Sequence, residues 1–229
     1  MPTVMITGAS RGIGLEFVRQ YAAEGWRIYA CCRTPAKAEA LQEIAKGSGG
    51  KVTAHALDVD DEASVKAAAA ELADAKIDVL INNAGINPAR DNGLGDIDYD
   101  KWMDAFRTNV LGPVRVVEHF IDKLDGEKKL ITISSLMGSI TENQASNGIV
   151  YRSSKTAVNM AMDCIANGVN DKGIAVVAFH PGWVKTDMGG PNAAVEIPDS
   201  VSGMRKVIGE LTAADNGTFR NFDGGRIAW

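Results

Sequence analysis

The chain has 229 residues, 45% apolar and 23% charged, and excludes a disordered state while allowing one sizeable core. Lys and Arg number 24 against 29 Asp and Glu, a net charge of -5, which argues against nucleic acid or an anionic membrane as partner and for a small molecule. Three cysteines make no disulfide framework, and there is neither a basic leader nor a run of roughly 18 uncharged apolar residues, so a cytoplasmic protein that does not enter the membrane is expected.

The first strand-like run, residues 4–6, ends in Thr7-Gly8-Ala9-Ser10-Arg11-Gly12-Ile13-Gly14 and passes straight into a helical pattern over 13–24. Without Cβ atoms, Gly8, Gly12 and Gly14 can take positive φ, let the backbone approach a pyrophosphate and pack helix on strand. The helix start offers free N–H groups to the anion. Gly8, Ser10, Arg11, Gly12, Ile13 and Gly14 are therefore read as a dinucleotide turn, against the plainer alternative of an ordinary strand-to-helix turn.

A second run, 27–30, leads into Cys31-Cys32-Arg33-Thr34, with no acid where one would hold a ribose 2′-hydroxyl. Arg33 and Arg11 could instead clamp a 2′-phosphate, which favours NADP(H) over NAD(H); the plain alternative for each is a solvated surface charge. After a helical pattern over 36–46, the run 52–57 ends at Asp58-Val59, where a carboxylate could accept from an adenine amino group or else cap the helix ahead of Glu62. A helical pattern over 61–74 and a strand over 77–81 lead to Asn82-Asn83-Ala84-Gly85. Ala84 and Gly85 leave room for ribose, and Asn82 is read as a sheet-stabilising residue.

A long helical pattern over 99–123 contains Asn109, and a strand over 130–133 ends at Ser134-Ser135. The helical stretch 151–169 opens with Tyr151-Arg152-Ser153-Ser154-Lys155, which puts Tyr151 and Lys155 one turn apart on one face. Moving a phenol from about 10 to near 7 takes roughly 4 kcal/mol, whereas unit charges 4 Å apart in water exchange only about 1 kcal/mol, so the pair matters only in a desolvated cleft. A run over 174–179, His180-Pro181-Gly182 and a helix over 200–211 complete the pattern. The strand-like runs are short and apolar on both sides and alternate with helices, the look of a doubly wound parallel α/β sheet in one domain, 1–229, with ligands beyond the strand ends. No His/Cys/Asp spacing suggests a metal site.

In combination, Gly8 to Gly14, Asn82 to Gly85, Ser135, Tyr151 to Lys155 and Pro181-Gly182 resemble the signature of the short-chain dehydrogenase/reductase family over the whole chain. Within it, His180 to Pro191 and the tail Asp223 to Trp229 are most similar to the C-factor and sniffer-type carbonyl reductases. The resemblance implies a Rossmann fold of about seven strands with helices on both faces. It implies that Tyr151 is the general acid of carbonyl reduction, Ser135 hydrogen-bonds the substrate oxygen, and Lys155 lowers the phenol pKa and holds the nicotinamide ribose. The Asn109 carbonyl would anchor a water of a proton relay. It assigns Asn83, Ala84, Gly85, Pro181, Gly182, Val184 and Thr186 to the cofactor, Val184 and Thr186 at the carboxamide, and it implies a homodimer or homotetramer. The function expected is NADPH-dependent reduction of a ketone or aldehyde, with a cofactor-binding signalling protein of little turnover as the alternative. The stretch 138–148 is longer than usual for the family and is expected to shape the substrate pocket, while the short segment after Met188 predicts an open site. His180 is read as a buried structural histidine, and Cys31 and Cys32 as packing beside the adenosine pocket.

Overall fold

The computed structural model describes residues 1–89 and 93–229. Strands β1 (Thr3–Thr7), β2 (Arg27–Cys32), β3 (Val52–Ala56), β4 (Ile77–Asn82), β5 (Leu124–Ile133), β6 (Ala175–His180) and β7 (Thr218–Asn221) form one sheet. Its order is β3-β2-β1-β4-β5-β6-β7, and every neighbouring pair is parallel. The run Thr3–Thr7 is buried throughout because successive side chains serve two cores: Val4 and Ile6 join one, Met5 the other.

On the first face lie α1 (Gly12–Ala23), α2 (Glu39–Gly47) and α7 (Ile197–Glu210), contributing Phe17, Leu41 and Met204. On the second lie α3 (Glu62–Glu71), α5 (Gly112–Phe120) and α6 (Ile149–Gly168), contributing Val65, Phe120 and Val158. Full burial of one such side chain contributes about 1.5–3 kcal/mol. Exposed ion pairs such as Lys66–Glu62 are screened by solvent, so the two cores hold the layers together. Strand order reverses direction at β1, between β2 and β4, which opens a crevice at the carboxyl ends of these strands.

Several boundaries differ from the sequence reading for local reasons. The helix expected over 99–123 is α4 (Tyr99–Phe106), a π turn (Arg107–Leu111) and α5, ending in a 3-10 turn at Ile121–Lys123. Pro113 has no amide hydrogen to return to the Asn109 carbonyl four residues earlier, and the Gly112 N–H reaches back to the Arg107 carbonyl instead. Asp61, not Asp58, caps α3, accepting from the Ala63 N–H at 3.0 Å. Strand β5 starts at Leu124 because Asp78 accepts from the Glu127 N–H and ties a polar, glycine-containing stretch to the sheet. Strand β7 is four residues long, too brief to stand out as an apolar run.

Candidate active site

Two turns, after β1 and after β4, pack backbone against backbone and are joined by the side chains of Thr7 and Asn83. Gly8 and Gly12 have φ of +66° and +56°. A Cβ on Gly14 would lie 2.3 Å from the Gly8 oxygen, and one on Gly8 2.9 Å from Ala84 Cα. Asn83 Nδ2 donates to the Thr7 oxygen at 2.9 Å, while Thr7 Oγ1 accepts from the N–H groups of Asn83 at 3.0 Å and Ala84 at 3.2 Å. Thr7, which the sequence reading passes over, is thus the hinge pin between the turns. Arg11 occupies the N-cap of α1 without its side chain capping the first-turn N–H groups.

A cleft of about 760 Å³ runs along these turns. Gly8, Ser10, Arg11, Gly12, Ile13 and Gly14 form its floor, and Arg33, Asp58 and Val59 its outer end beside Cys32. Asn83, Ala84, Gly85, Tyr151, Lys155, Pro181 and Thr186 line the remainder. Of the residues assigned to the cofactor, Gly182 and Val184 lie outside it and line a second cavity next door. Arg11 is not a bare cation: its guanidinium pairs with Asp187 at 2.9 Å across the cleft mouth, both side chains well exposed. Arg33 is exposed at the cleft wall. Cys31 is fully buried in the second core, so only Cys32 packs beside the cleft.

Helix α6 begins after Gly148, whose φ is +71°, and turns Tyr151 and Lys155 inward, both buried. Lys155 Nζ donates to the Ile133 oxygen at 2.9 Å and lies 5.7 Å from the centroid of the Tyr151 ring. Burial pushes the Tyr151 phenol up to about 12, opposed by a hydrogen bond with Ser135. Burial pushes the Lys155 ammonium down to about 8. The neighbouring Ser134 is committed elsewhere, donating to Asn159 Oδ1 at 2.6 Å, which leaves Ser135 as the hydroxyl partner of Tyr151.

Asn109 lines neither cavity. Its Nδ2 donates to the Ile86 oxygen at 2.9 Å and to Ser154 Oγ at 3.0 Å, and its Oδ1 accepts from the Ile86 N–H at 2.8 Å. It ties the chain beyond Gly85 to helix α6. Asn82 reaches the Pro113 oxygen only at 3.5 Å, a weak contact for a residue read as a sheet anchor.

The second cavity, about 800 Å³, adjoins the cleft at Tyr151. Leu136, Met137, Trp183 and Met188 give it an apolar wall, and Asn87, Ser135, Glu142, Arg152 and His180 a polar one. The stretch 138–148 lines it through Glu142, Gln144, Ala145 and Gly148. His180 is a wall residue here, half-buried and held neutral because burial pushes it down to about 4 against the pull of Asp223. The segment after Met188 folds back on Trp183 and Val184, pairing Lys185 with Val195, and forms part of the wall. Val184 gives its carbonyl to the Thr186 N–H at 2.8 Å. Among the described residues no helix is long and apolar enough to cross a membrane.

A family model described as short chain dehydrogenase matches residues 2–196. The chain is 38% identical over 167 residues to the C-signal protein of Myxococcus xanthus, covering 72% of this chain and 100% of that protein. It is similar over its whole length to an NADPH-bound carbonyl reductase from chicken fatty liver, with a TM-score of 0.91, 36% identity and 99% of that chain covered. It is also similar to carbonyl reductase Sniffer of D. melanogaster, with a TM-score of 0.92, 29% identity and 100% of both chains covered.

Proposed function

The chain belongs to the short-chain dehydrogenase family of oxidoreductases, and from that premise we propose that it is an NADPH-dependent reductase converting a ketone or aldehyde to an alcohol. The observation that carries this reading is a shared wall. Tyr151 lines both cavities, Lys155 the glycine-floored cleft and Ser135 its neighbour, so a proton donor sits where the two spaces meet.

A dinucleotide fits the residues present. The floor of the cleft is a glycine turn packed too closely on its neighbours to admit a side chain at Gly8 or Gly14, which leaves main chain facing the ligand, and its outer end carries Arg33. The NADPH bound to the chicken carbonyl reductase supports the same choice. The bound nucleotide supplies a hydride to the carbonyl carbon. Arg33 and Arg11 take the 2′-phosphate, with Arg11 leaving Asp187 to do so, and Asp58 and Val59 meet the adenine. Lys155 holds the nicotinamide ribose beside Asn83, Ala84 and Gly85. Thr186 holds the carboxamide, with Pro181, Gly182 and Val184 shaping that end.

Ser135 donates to the substrate carbonyl oxygen, and Tyr151 gives that oxygen its proton. Lowering a phenol held at about 12 to neutrality takes about 7 kcal/mol. One ammonium, even at 4 Å in a partly screened site, supplies about 4 kcal/mol. Tyr151 therefore stays protonated and acts as an acid, the role that reduction demands, and the charge of Lys155 eases the developing phenolate. The Asn109 carbonyl, four residues before a proline, anchors the water that returns a proton to Tyr151 through Lys155. The same reading makes the chain one cytoplasmic domain, with exposed Tyr99, Met103 and Met160 supporting a homodimer or homotetramer.

The test is NADPH oxidation against quinones, isatin-like diketones and aromatic aldehydes, with Tyr151→Phe as the control. Wild type turns over part of the panel and the variant does not, while both bind NADPH. Equal inactivity with NADPH bound would favour the second reading, a cofactor-binding signalling protein, which the identity to C-signal supports.

A further inference from the structure

The loop that carries the chain from Ser135 to Tyr151 is held from two sides. On the inner side, the Gly138 oxygen accepts from Thr156 Oγ1 at 2.9 Å and from Asn159 Nδ2 at 3.2 Å, both on α6. Gly138 also lies so close to that helix that a Cβ would be 2.8 Å from the Lys155 carbonyl carbon. On the outer side the partner is the end of the chain. Ser139, 1% exposed, donates to the Ala228 oxygen at 2.6 Å, and Thr141 gives both its N–H at 3.1 Å and its hydroxyl at 3.0 Å to the Trp229 oxygen.

Beyond β7 the chain turns at Gly224, where φ is +97°, and returns along the strand, with the Asn221 N–H donating to the Gly225 oxygen at 2.7 Å and the Ile227 N–H to the Phe219 oxygen at 2.9 Å. The Trp229 ring stacks on buried Phe219 with centroids 5.4 Å apart and planes 18° from parallel. The sheet therefore fixes the tail, and the tail fixes the loop. Immediately past the two tethered residues come Glu142, Gln144 and Ala145, which line the second cavity.

We propose that residues 219–229 are a positioning strap for the substrate cavity, seated on the sheet at Phe219 and tied to the loop at Ser139 and Thr141. The Trp229–Phe219 stack seats the strap, and the bonds to Ser139 and Thr141 set where Glu142 to Ala145 stand opposite Ser135 and Tyr151. Among the described residues the strap meets Gly182 through Phe222 and His180 through Asn221, and its recorded bonds reach neither Ser135, Tyr151, Lys155 nor the glycine turn, so its influence falls chiefly on substrate fit. This inference rests on the reductase reading for its kinetic consequence, and on geometry alone for the tether.

Trp229→Ala and Ser139→Ala separate the two. In both variants hydrogen exchange at the amides of Thr141 and Glu142 speeds up about five- to tenfold, while amides of 158–162 in α6 keep their protection. With NADPH saturating, KM for a bulky probe, 4-nitrobenzaldehyde, rises by a similar factor, while kcat and the dissociation constant of NADPH stay within about twofold of wild type. KM for butane-2,3-dione changes little, and Trp229→Phe, which keeps a ring on Phe219, restores both readouts. Unchanged exchange in Trp229→Ala and Ser139→Ala overturns the strap, and so does faster exchange with KM unaltered. Thr141→Val, a change at an exposed position, gives the same decision should either first variant fold poorly. If wild type reduces neither probe, the reductase reading fails by itself, and protection of Thr141 and Glu142 equal to wild type would still overturn the tether.

Discussion

At the floor of the first cleft the walls are main chain: Gly14 against the Gly8 oxygen, Gly8 against Ala84, Thr7 bridging two strand ends. At the second cavity they are side chains on loops, with Leu136, Trp183 and Met188 partly open to solvent and Glu142 and Arg152 among them. A main-chain wall admits one shape and tolerates no added atom, which suits a ligand that never changes. A side-chain wall can be altered residue by residue without disturbing the sheet, which suits a ligand that differs from one relative to the next. Tyr151 belongs to both, and substitutions on either side of it separate the two kinds of wall.

The largest effect is expected at the shared residue itself. Tyr151→Phe removes the proton donor and lowers kcat by about a hundredfold to ten-thousandfold, measured as NADPH oxidation, with NADPH affinity retained. Next comes the charged end of the first cleft. Arg33→Ala combined with Arg11→Ala weakens NADPH about ten- to a hundredfold in a fluorescence titration and leaves NADH almost unchanged, because the two guanidinium groups make charge-assisted bonds to a phosphate that NADH lacks. Equal weakening of both nucleotides would place the 2′-phosphate elsewhere.

Titration is expected to act through Lys155. With the phenol held at about 12 and the ammonium at about 8, Tyr151 is protonated throughout the neutral range while Lys155 loses its charge as pH rises past about 8. The kcat/KM for reduction is therefore flat below that pH and falls above it, by up to about tenfold per unit. A profile rising through pH 8 would show that a neutral Lys155 is the active form. Within the main-chain wall, Gly14→Ala drives a methyl into the Gly8 oxygen and costs about 1–3 kcal/mol of stability by thermal or denaturant unfolding. The smallest effect is its control: Gly209, in the last turn of α7 with nothing within 4 Å of a Cβ, gains up to about 0.5–1 kcal/mol when changed to Ala.

The same division explains what is legible in the amino-acid order. Gly8 to Gly14 and Tyr151 to Lys155 are local patterns, each within one turn or one helical repeat, and the two cavities collect the three glycines, Tyr151 and Lys155. The choice of Ser135 over Ser134 has its physical ground 25 residues away in the bond from Ser134 to Asn159, which no local pattern announces. Arg11 meets Asp187 across a separation of 176, and Ser139 meets Ala228 across 89, so neither partner can be paired from spacing. The short strand β7 escapes because four residues, most of them half-buried, carry too little periodicity. His180 reads as a core residue because it follows an apolar strand; its ring instead stands at a cavity wall, where burial keeps it neutral.

Parallel pairing gives the molecule a direction in time as well as in space. Each strand waits for a crossover before it meets a neighbour, and β7 meets only β6. As a ribosome extends the chain, β1 to β4 and the joined glycine turns can assemble while the last residues are still unmade. The loop behind Ser135 gains its outer tethers only once Ala228 and Trp229 have been added and seated on Phe219. The glycine floor can thus form before Lys155, Pro181 and Thr186 complete the nucleotide cleft, and the outer tethers of the substrate loop follow them.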